Sequence, residues 1–471
     1  MDPRTWFKGS VAALGTLAGR PFALPASIPA EPPVPRTAFR HRGYLGWITD
    51  LATQPDPQAD WPSMRLDEPL LEDYRRTFDL LPRLGFNEVV IWGLYVSRAW
   101  PVDLPRSVPP ERGARVERLI ELAHQRGLRV YSGLGLYSWG FDQIIQAHPQ
   151  LSRGNPQVMC ACEPEAWEWM RRVIDFVFER FPIDGVSMQS ADQGRCPCEA
   201  CRRYGEAEYH ALLNVRAAEY IRSRWPDRTI GVNSWGMNFH DPANLPFLVQ
   251  MSRAIDYLID VHNTAGRSDP GYRRTLIQSL ECAFGTLGGP QVEPPQHWER
   301  DRWFLPTLRR VGEHLQQLFQ EGGRACEYFF HILANPGDEV SLWLAGKTLA
   351  DPQTSWEKHL QDSVAEVFEV DRASVQEALA QLFLQAEEAY FQYLPAEFCG
   401  TLSLEPLVSN RPGEPIYLRQ QLSPEQQAAY AQDLRRLRER ARQLLPEVPR
   451  REKMQAVLRC LDRVIADLAP L

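Results

Sequence analysis

Glu88-Val89-Val90-Ile91-Trp92-Gly93-Leu94-Tyr95 is an apolar, β-branched run that begins just after Gly85 and ends in a polar loop. Glu111 to Gln125 then carries apolar residues at helical spacing and stops at Gly127, a residue suited to closing a helix. Arg129-Val130-Tyr131-Ser132-Gly133-Leu134-Gly135-Leu136-Tyr137 is apolar and strand-like again. Strand, helix and strand in about fifty residues form the unit from which parallel sheets are built.

The unit recurs on both sides. Gly43-Tyr44-Leu45-Gly46-Trp47-Ile48 precedes it as a strand, with a helix from Pro69 to Leu84. Further strands fit at Asp184 to Ser190, Thr229 to Trp235, Tyr257 to His262, Glu281 to Gly285 and Arg324 to Phe330. Helices fit at Glu165 to Phe181, Glu206 to Arg224, Tyr272 to Leu280 and Arg302 to Gln320. Eight such units over residues 39–345 predict an α/β fold, a (β/α)8 TIM barrel. A doubly wound open sheet would need Gly-x-Gly-x-x-Gly after its first strand, and the sequence has none there. Residues 346–471 read as an α-helical C-terminal region, with helical spacing at Val364 to Tyr393, Ser423 to Leu444 and Arg450 to Leu468. The charge run Arg435-Arg436-Leu437-Arg438-Glu439-Arg440 fits a solvated helix face.

Composition narrows the function. With 44% hydrophobic and 24% charged residues the 471-residue chain is globular rather than disordered. A net charge of −8 argues against a nucleic-acid partner, and no apolar run approaches the roughly 20 residues of a membrane span. Residues 1–38 stand outside the fold. Arg4-Thr5-Trp6-Phe7-Lys8-Gly9-Ser10, a weakly apolar stretch and a Pro-rich linker resemble a twin-arginine export signal, with Pro3 in place of the first Arg and Phe7 in place of the Leu. Export to the periplasm or the exterior is the expectation, and a cytoplasmic location the alternative. Only Lys8, Lys347, Lys358 and Lys453 are lysines, none on a predicted barrel strand, so Schiff-base chemistry is close to excluded. P-loop, nucleophile-elbow and zincin motifs are missing.

Barrel chemistry sits at the C-terminal ends of the strands. Here those ends carry Trp47 with Asp50, Trp92 with Tyr95, Tyr137 with Trp139, Asn233 with Trp235, Asp260 with His262, and Glu327 with Tyr328 and His331. Flat aromatic faces suit the C–H faces of sugar rings, and carboxylate, amide and imidazole groups suit the hydroxyls. A carbohydrate is the expected partner. Glycoside hydrolysis asks for a proton donor and a second, stabilising or attacking carboxylate. The candidates are Asp192 after the fourth strand, Asp260, Glu281 with Glu293 about the seventh, and Glu327. Taken singly, each reads more readily as a rim ion pair or loop cap.

The segment Ser187-Met188-Gln189-Ser190-Ala191-Asp192, followed by Cys196-Pro197-Cys198-Glu199-Ala200-Cys201, resembles glycosidase-type barrels of the α-glucuronidase, β-hexosaminidase and bacterial endo-β-N-acetylglucosaminidase group. A second likeness is Leu342-Trp343-Leu344-Ala345-Gly346-Lys347-Thr348-Leu349-Ala350-Asp351-Pro352. The resemblance implies a glycoside hydrolase with its acid at the end of the fourth strand, which would be Asp192, and no catalytic cofactor. It departs at Gln189, where a glutamate would be usual, so a catalytically silent carbohydrate-binding barrel is the alternative. Cys160 and Cys162 lie after the third strand, Cys196, Cys198 and Cys201 after the fourth, and loops at one barrel face can meet. They fit a structural Zn²⁺ site, disulfides or free thiols. Cys282, Cys326, Cys399 and Cys460 read as core thiols.

Overall fold

A computed structural model describes residues 38–48, 66–95, 99–190, 193–235, 237–261, 265–288, 304, 306–329, 335–393 and 422–468. Eight parallel strands close a barrel in sequence order: β1 His41–Trp47, β2 Glu88–Trp92, β3 Arg129–Gly135, β4 Gly185–Gln189, β5 Thr229–Asn233, β6 Tyr257–Asp260, β7 Ala283–Leu287 and β8 Ala325–Phe329. The ring closes where β8 pairs with β1, Glu327 level with Gly43, which is in turn level with Glu88 of β2. The barrel helices are α1 Glu68–Leu84, α2 Pro110–His124, α3 Pro164–Arg180, α4 Glu206–Arg224, α5 Leu245–Ser252, α6 Pro270–Ser279, α7 Arg309–Gln320 and α8 Pro336–Ala350. The (β/α)8 barrel expected from the alternating pattern is the fold.

Local sequence explains the boundaries. The Asp67 carboxylate caps α1 by accepting from the Leu70 N–H at 3.0 Å, and Gly85 ends it at φ +100°, the left-handed region that favours glycine. β7 begins two residues later than its apolar run suggests, because Glu281 and Cys282 still belong to the turn out of α6.

Alternation along each strand sends every second residue inward. Leu45, Val90, Trp92, Tyr131, Tyr257, Ile259, Leu287 and Ala325 pack together inside the barrel, while Val186, Met188, Ile230 and Val232 face the helices. The interior is filled by a few large rings set against glycines. A Cβ on Gly133 would fall 2.0 Å from the Trp92 indole, and one on Gly231 would fall 2.0 Å from the Tyr257 ring.

Beyond the barrel run α9 Trp356–Phe368, α10 Ala373–Tyr393, α11 Pro424–Leu444 and α12 Arg451–Asp467. The eighth barrel helix extends to Ala350, so the division expected after residue 345 falls inside α8. Polar contacts help fasten this region to the barrel. The buried Glu387 carboxylate on α10 accepts from the Leu308 and Arg309 N–H groups at the start of α7, each at 2.9 Å, where helix dipole and unpaired donors favour a negative charge. Lys453 on α12 pairs with Glu339 on α8 at 2.7 Å. Among the described residues no helix is long and apolar enough to cross a membrane.

The ring-against-glycine packing predicts that Gly133→Ala destabilises the protein by about 1–3 kcal/mol through overpacking, measured by urea denaturation. Unchanged stability would mean that the Trp92 ring is free to move aside.

Candidate active site at the barrel mouth

Inward alternation places the last residues of β2, β4 and β5 at the C-terminal mouth: Trp92, Gln189 and Asn233. Trp92 is nearly sealed, at 1% exposure, and forms the floor. The Trp139 ring stands edge-on to it, with centroids 5.3 Å apart at 89°. Trp139 is held against β3 because Gly135 has no side chain; a Cβ there would lie 2.6 Å from the Trp139 Cβ. Trp139 and Trp235 are both half-buried and pack on the same interior cluster. The Asn233 carboxamide accepts from the Trp235 N–H at 3.4 Å, and Gln189 and Asn233 are each 6% exposed. Three indoles and two carboxamides therefore converge on one end of the barrel.

The β3 and β4 loops are tied to one another around the end of β4. The Leu136 N–H donates to the Gln189 carbonyl at 2.7 Å, the Ser138 hydroxyl to the Ser190 carbonyl at 3.0 Å, and the Asn155 amide to the Gln193 carbonyl at 3.2 Å. From behind, Asn214 of α4 donates to the Ser190 hydroxyl at 2.9 Å. Both flanks of the segment holding Asp192 are thus anchored. Asp192 itself, like Asp50, His262, Glu293, His331 and Cys399, lies outside the described residues, and so does the side chain of Trp47 at the end of β1.

Several expected site residues are placed elsewhere. Glu281 lies before β7, at the opposite end of the barrel, and pairs with Arg253 at 2.8 Å on the surface. Asp260 alternates with the inward Ile259, so it faces away from the barrel axis and caps its loop by accepting from the Ala265 N–H at 2.7 Å. Tyr328 also points outward, packing near Phe86 between strands and helices. Tyr95 turns into the core against Trp100, Phe176 and Phe181, its hydroxyl donating to the Val177 carbonyl. Tyr137 is buried beside Cys160 and Cys162, at φ +62°.

Glu327 does point inward, but it is sealed at 1% exposure and accepts from the Tyr257 hydroxyl at 2.9 Å. Burial pushes its carboxyl up to about 7, against the opposing pull of Ser187 and Tyr257. Glu88 nearby behaves oppositely. Burial alone would raise it, yet His41 at 3.3 Å, Arg129 at 2.9 Å and the Tyr131 hydroxyl at 2.8 Å hold it below the usual range. These two carboxyls brace the barrel interior rather than meet a substrate.

The five cysteines expected to gather do gather. Hydrogen bonds from Cys162, Cys196 and Cys201 hold Cys160 well below the thiol range, while Cys160 in turn pushes Cys162 up to about 11, Cys196 to about 12 and Cys201 further. The donor set Cys160, Cys162, Cys198 and Cys201 is of a kind that can hold a metal ion. Cys326 and Cys460 are buried, in keeping with core thiols, and Cys282 is partly so.

Sequence reading missed the role of Gly133 and Gly135. Their two-residue spacing within a strand was the available signal, since it marks inward positions without side chains.

No protein-family model matches the chain, and no curated protein sequence matches it. Solved structures do. A mutant O-GlcNAc hydrolase from Thermobaculum terrenum superposes with a TM-score of 0.51 at 13% identity, over 90% of this chain and 81% of that one. The GH20 β-N-acetylhexosaminidase from Streptomyces coelicolor gives 0.43 at 11% identity over 70% of this chain and 69% of that one. The GH20 exo-β-N-acetylglucosaminidase from Vibrio harveyi gives 0.41 at 12%, over 70% and 58%. The first shares the barrel fold with this chain; the other two are too distant to add to that.

The buried Glu327 carboxyl binds its proton more tightly in the folded protein than in the unfolded chain. Its contribution to stability is therefore complete below about pH 4 and is lost as pH rises through about 7. Relative to Glu327→Gln, which mimics the protonated acid, the wild type is expected to lose about 3 kcal/mol between pH 4 and 8. Urea midpoints across that range test this; parallel profiles would contradict it.

Proposed function

We propose that the protein is a glycoside hydrolase that binds a carbohydrate at the C-terminal mouth of the barrel. The observation that carries this reading is the convergence of the half-buried Trp139 and Trp235, above the Trp92 floor, with the carboxamides of Gln189 and Asn233. Indole faces stack on sugar rings, and carboxamides both donate to and accept from sugar hydroxyls. In this reading Asp192, at the end of the anchored β4, is the general acid.

The second catalytic role narrows the substrate. Asp260 faces away from the barrel axis as a loop cap, Glu281 lies at the opposite end of the barrel, and Glu327 is sealed inside it. With those three described carboxyls so placed, we assign the role to the substrate's own 2-acetamido oxygen, the route of substrate-assisted glycosidases, which need no second attacking carboxylate. A 2-acetamido sugar is accordingly the proposed substrate. The shared barrel with a Thermobaculum terrenum O-GlcNAc hydrolase makes N-acetylglucosaminides the first to try. Export of the protein, expected from residues 1–38, belongs to the same proposal.

The alternative is a silent carbohydrate-binding barrel. It is favoured by Gln189, an amide that cannot supply an acidic proton, on the last inward position of β4. Aryl N-acetylglucosaminides and the matching glucosides separate the two. The hydrolase reading expects turnover of the acetamido sugar alone, a fall in kcat of about 100-fold or more in Asp192→Asn, and a KM raised about tenfold in Trp139→Ala. Saturable binding without product would favour the silent barrel. Equal turnover of the glucosides would refute substrate assistance, and turnover unaltered in Asp192→Asn would remove the proposed acid.

A further inference from the structure

Cys160 and Cys162 sit at the end of the β3–α3 connection, just before α3 begins at Pro164. Cys198 caps and Cys201 lies within the short helical turn Glu199–Arg202 in the β4–α4 connection, and the Cys201 N–H donates to the Cys198 sulfur at 3.4 Å. Sulfur separations are 3.7 Å for Cys160–Cys198, 4.0 Å for Cys160–Cys201 and 3.5 Å for Cys162–Cys201. All four sulfurs lie within 4.8 Å of one another. A tetrahedron with metal–sulfur bonds of about 2.3 Å has sulfur–sulfur edges of about 3.8 Å. The spacings scatter about that edge. A disulfide, by contrast, brings one pair to about 2.05 Å, and none of the described cysteines is so bonded.

We propose that Cys160, Cys162, Cys198 and Cys201 bind one Zn²⁺ as a closed, structural tetrathiolate site that clasps the β3 and β4 loops together. Zinc suits it, because four soft ligands in tetrahedral array, largely or partly buried, leave no open position for substrate. Four thiolates on Zn²⁺ leave a net charge of −2, and Arg153 and Arg203 are near enough to Cys160, Cys198 and Cys162 to interact with it electrostatically. Cys196, buried beside Cys160 and Cys201, stays outside the tetrahedron. The clasp adds to the Asn155–Gln193 and Ser138–Ser190 bonds between the same two loops. It does not depend on the glycosidase reading.

The test is metal content of the full chain, purified under reducing conditions without chelator, by plasma mass spectrometry. About one zinc per chain is expected, and unfolding in chelator followed by refolding with Co²⁺ should give thiolate-to-cobalt charge-transfer bands. Cys198→Ser should lose the metal and melt several degrees lower, whereas Cys196→Ser should keep it. If Cys198→Ser fails to fold, the wild-type metal content and cobalt spectrum still decide. Iron in place of zinc, free thiols without metal after refolding in Zn²⁺, or an intact mass short of two hydrogens per disulfide would overturn the assignment. So would zinc retained by Cys198→Ser and lost from Cys196→Ser.

Discussion

The packing of the barrel interior depends on a few large rings that find glycines opposite them. Trp92 lies where a Gly133 side chain would be, and Tyr257 where a Gly231 side chain would be. An eight-stranded barrel has room for its own side chains and little else. Rings from β2, β3 and β6 fill much of that room among the described residues. The same packing raises Trp92 to the mouth as a floor, on which Trp139 stands edge-on.

Polar groups within this interior are bought with partners. Glu88 is matched by His41, Arg129 and Tyr131, and stays ionised; Glu327 has hydroxyls for company and is pushed toward the neutral form. A raised carboxyl pKa is often the mark of a general acid, but here access decides against it. A group that no substrate can touch serves the architecture, whatever its pKa. The mouth contributes aromatic faces and carboxamides, and the loops from β3 and β4, bonded to each other on both sides of Ala191-Asp192, set where the fourth strand delivers its chain.

The fold was legible because hydrophobic periodicity switches regularly between two and 3.6 residues, and all eight strands overlap their apolar runs. The site was legible only in part. Trp92, Trp139, Gln189, Asn233 and Trp235 do gather at one end, since a strand end names its own place in a barrel. Facing is harder to read. Asp260 and Tyr328 sit one residue from inward positions, and a one-residue offset sends a side chain to the helices. Glu281 opens the predicted seventh strand and precedes the observed one, so on either boundary it lies at the end opposite the mouth. The cysteines converged as their spacing suggested, because loops from adjacent strands cannot avoid each other at one barrel face.

The most direct test of the carbohydrate mouth is a crystal structure of the protein soaked with N-acetylglucosamine or a short oligomer of it. A sugar ring stacked on Trp139 or Trp235, with its polar groups in hydrogen-bond reach of Gln189 or Asn233, is the predicted result. A sugar bound elsewhere on the molecule, or an empty mouth at saturating ligand, would contradict it.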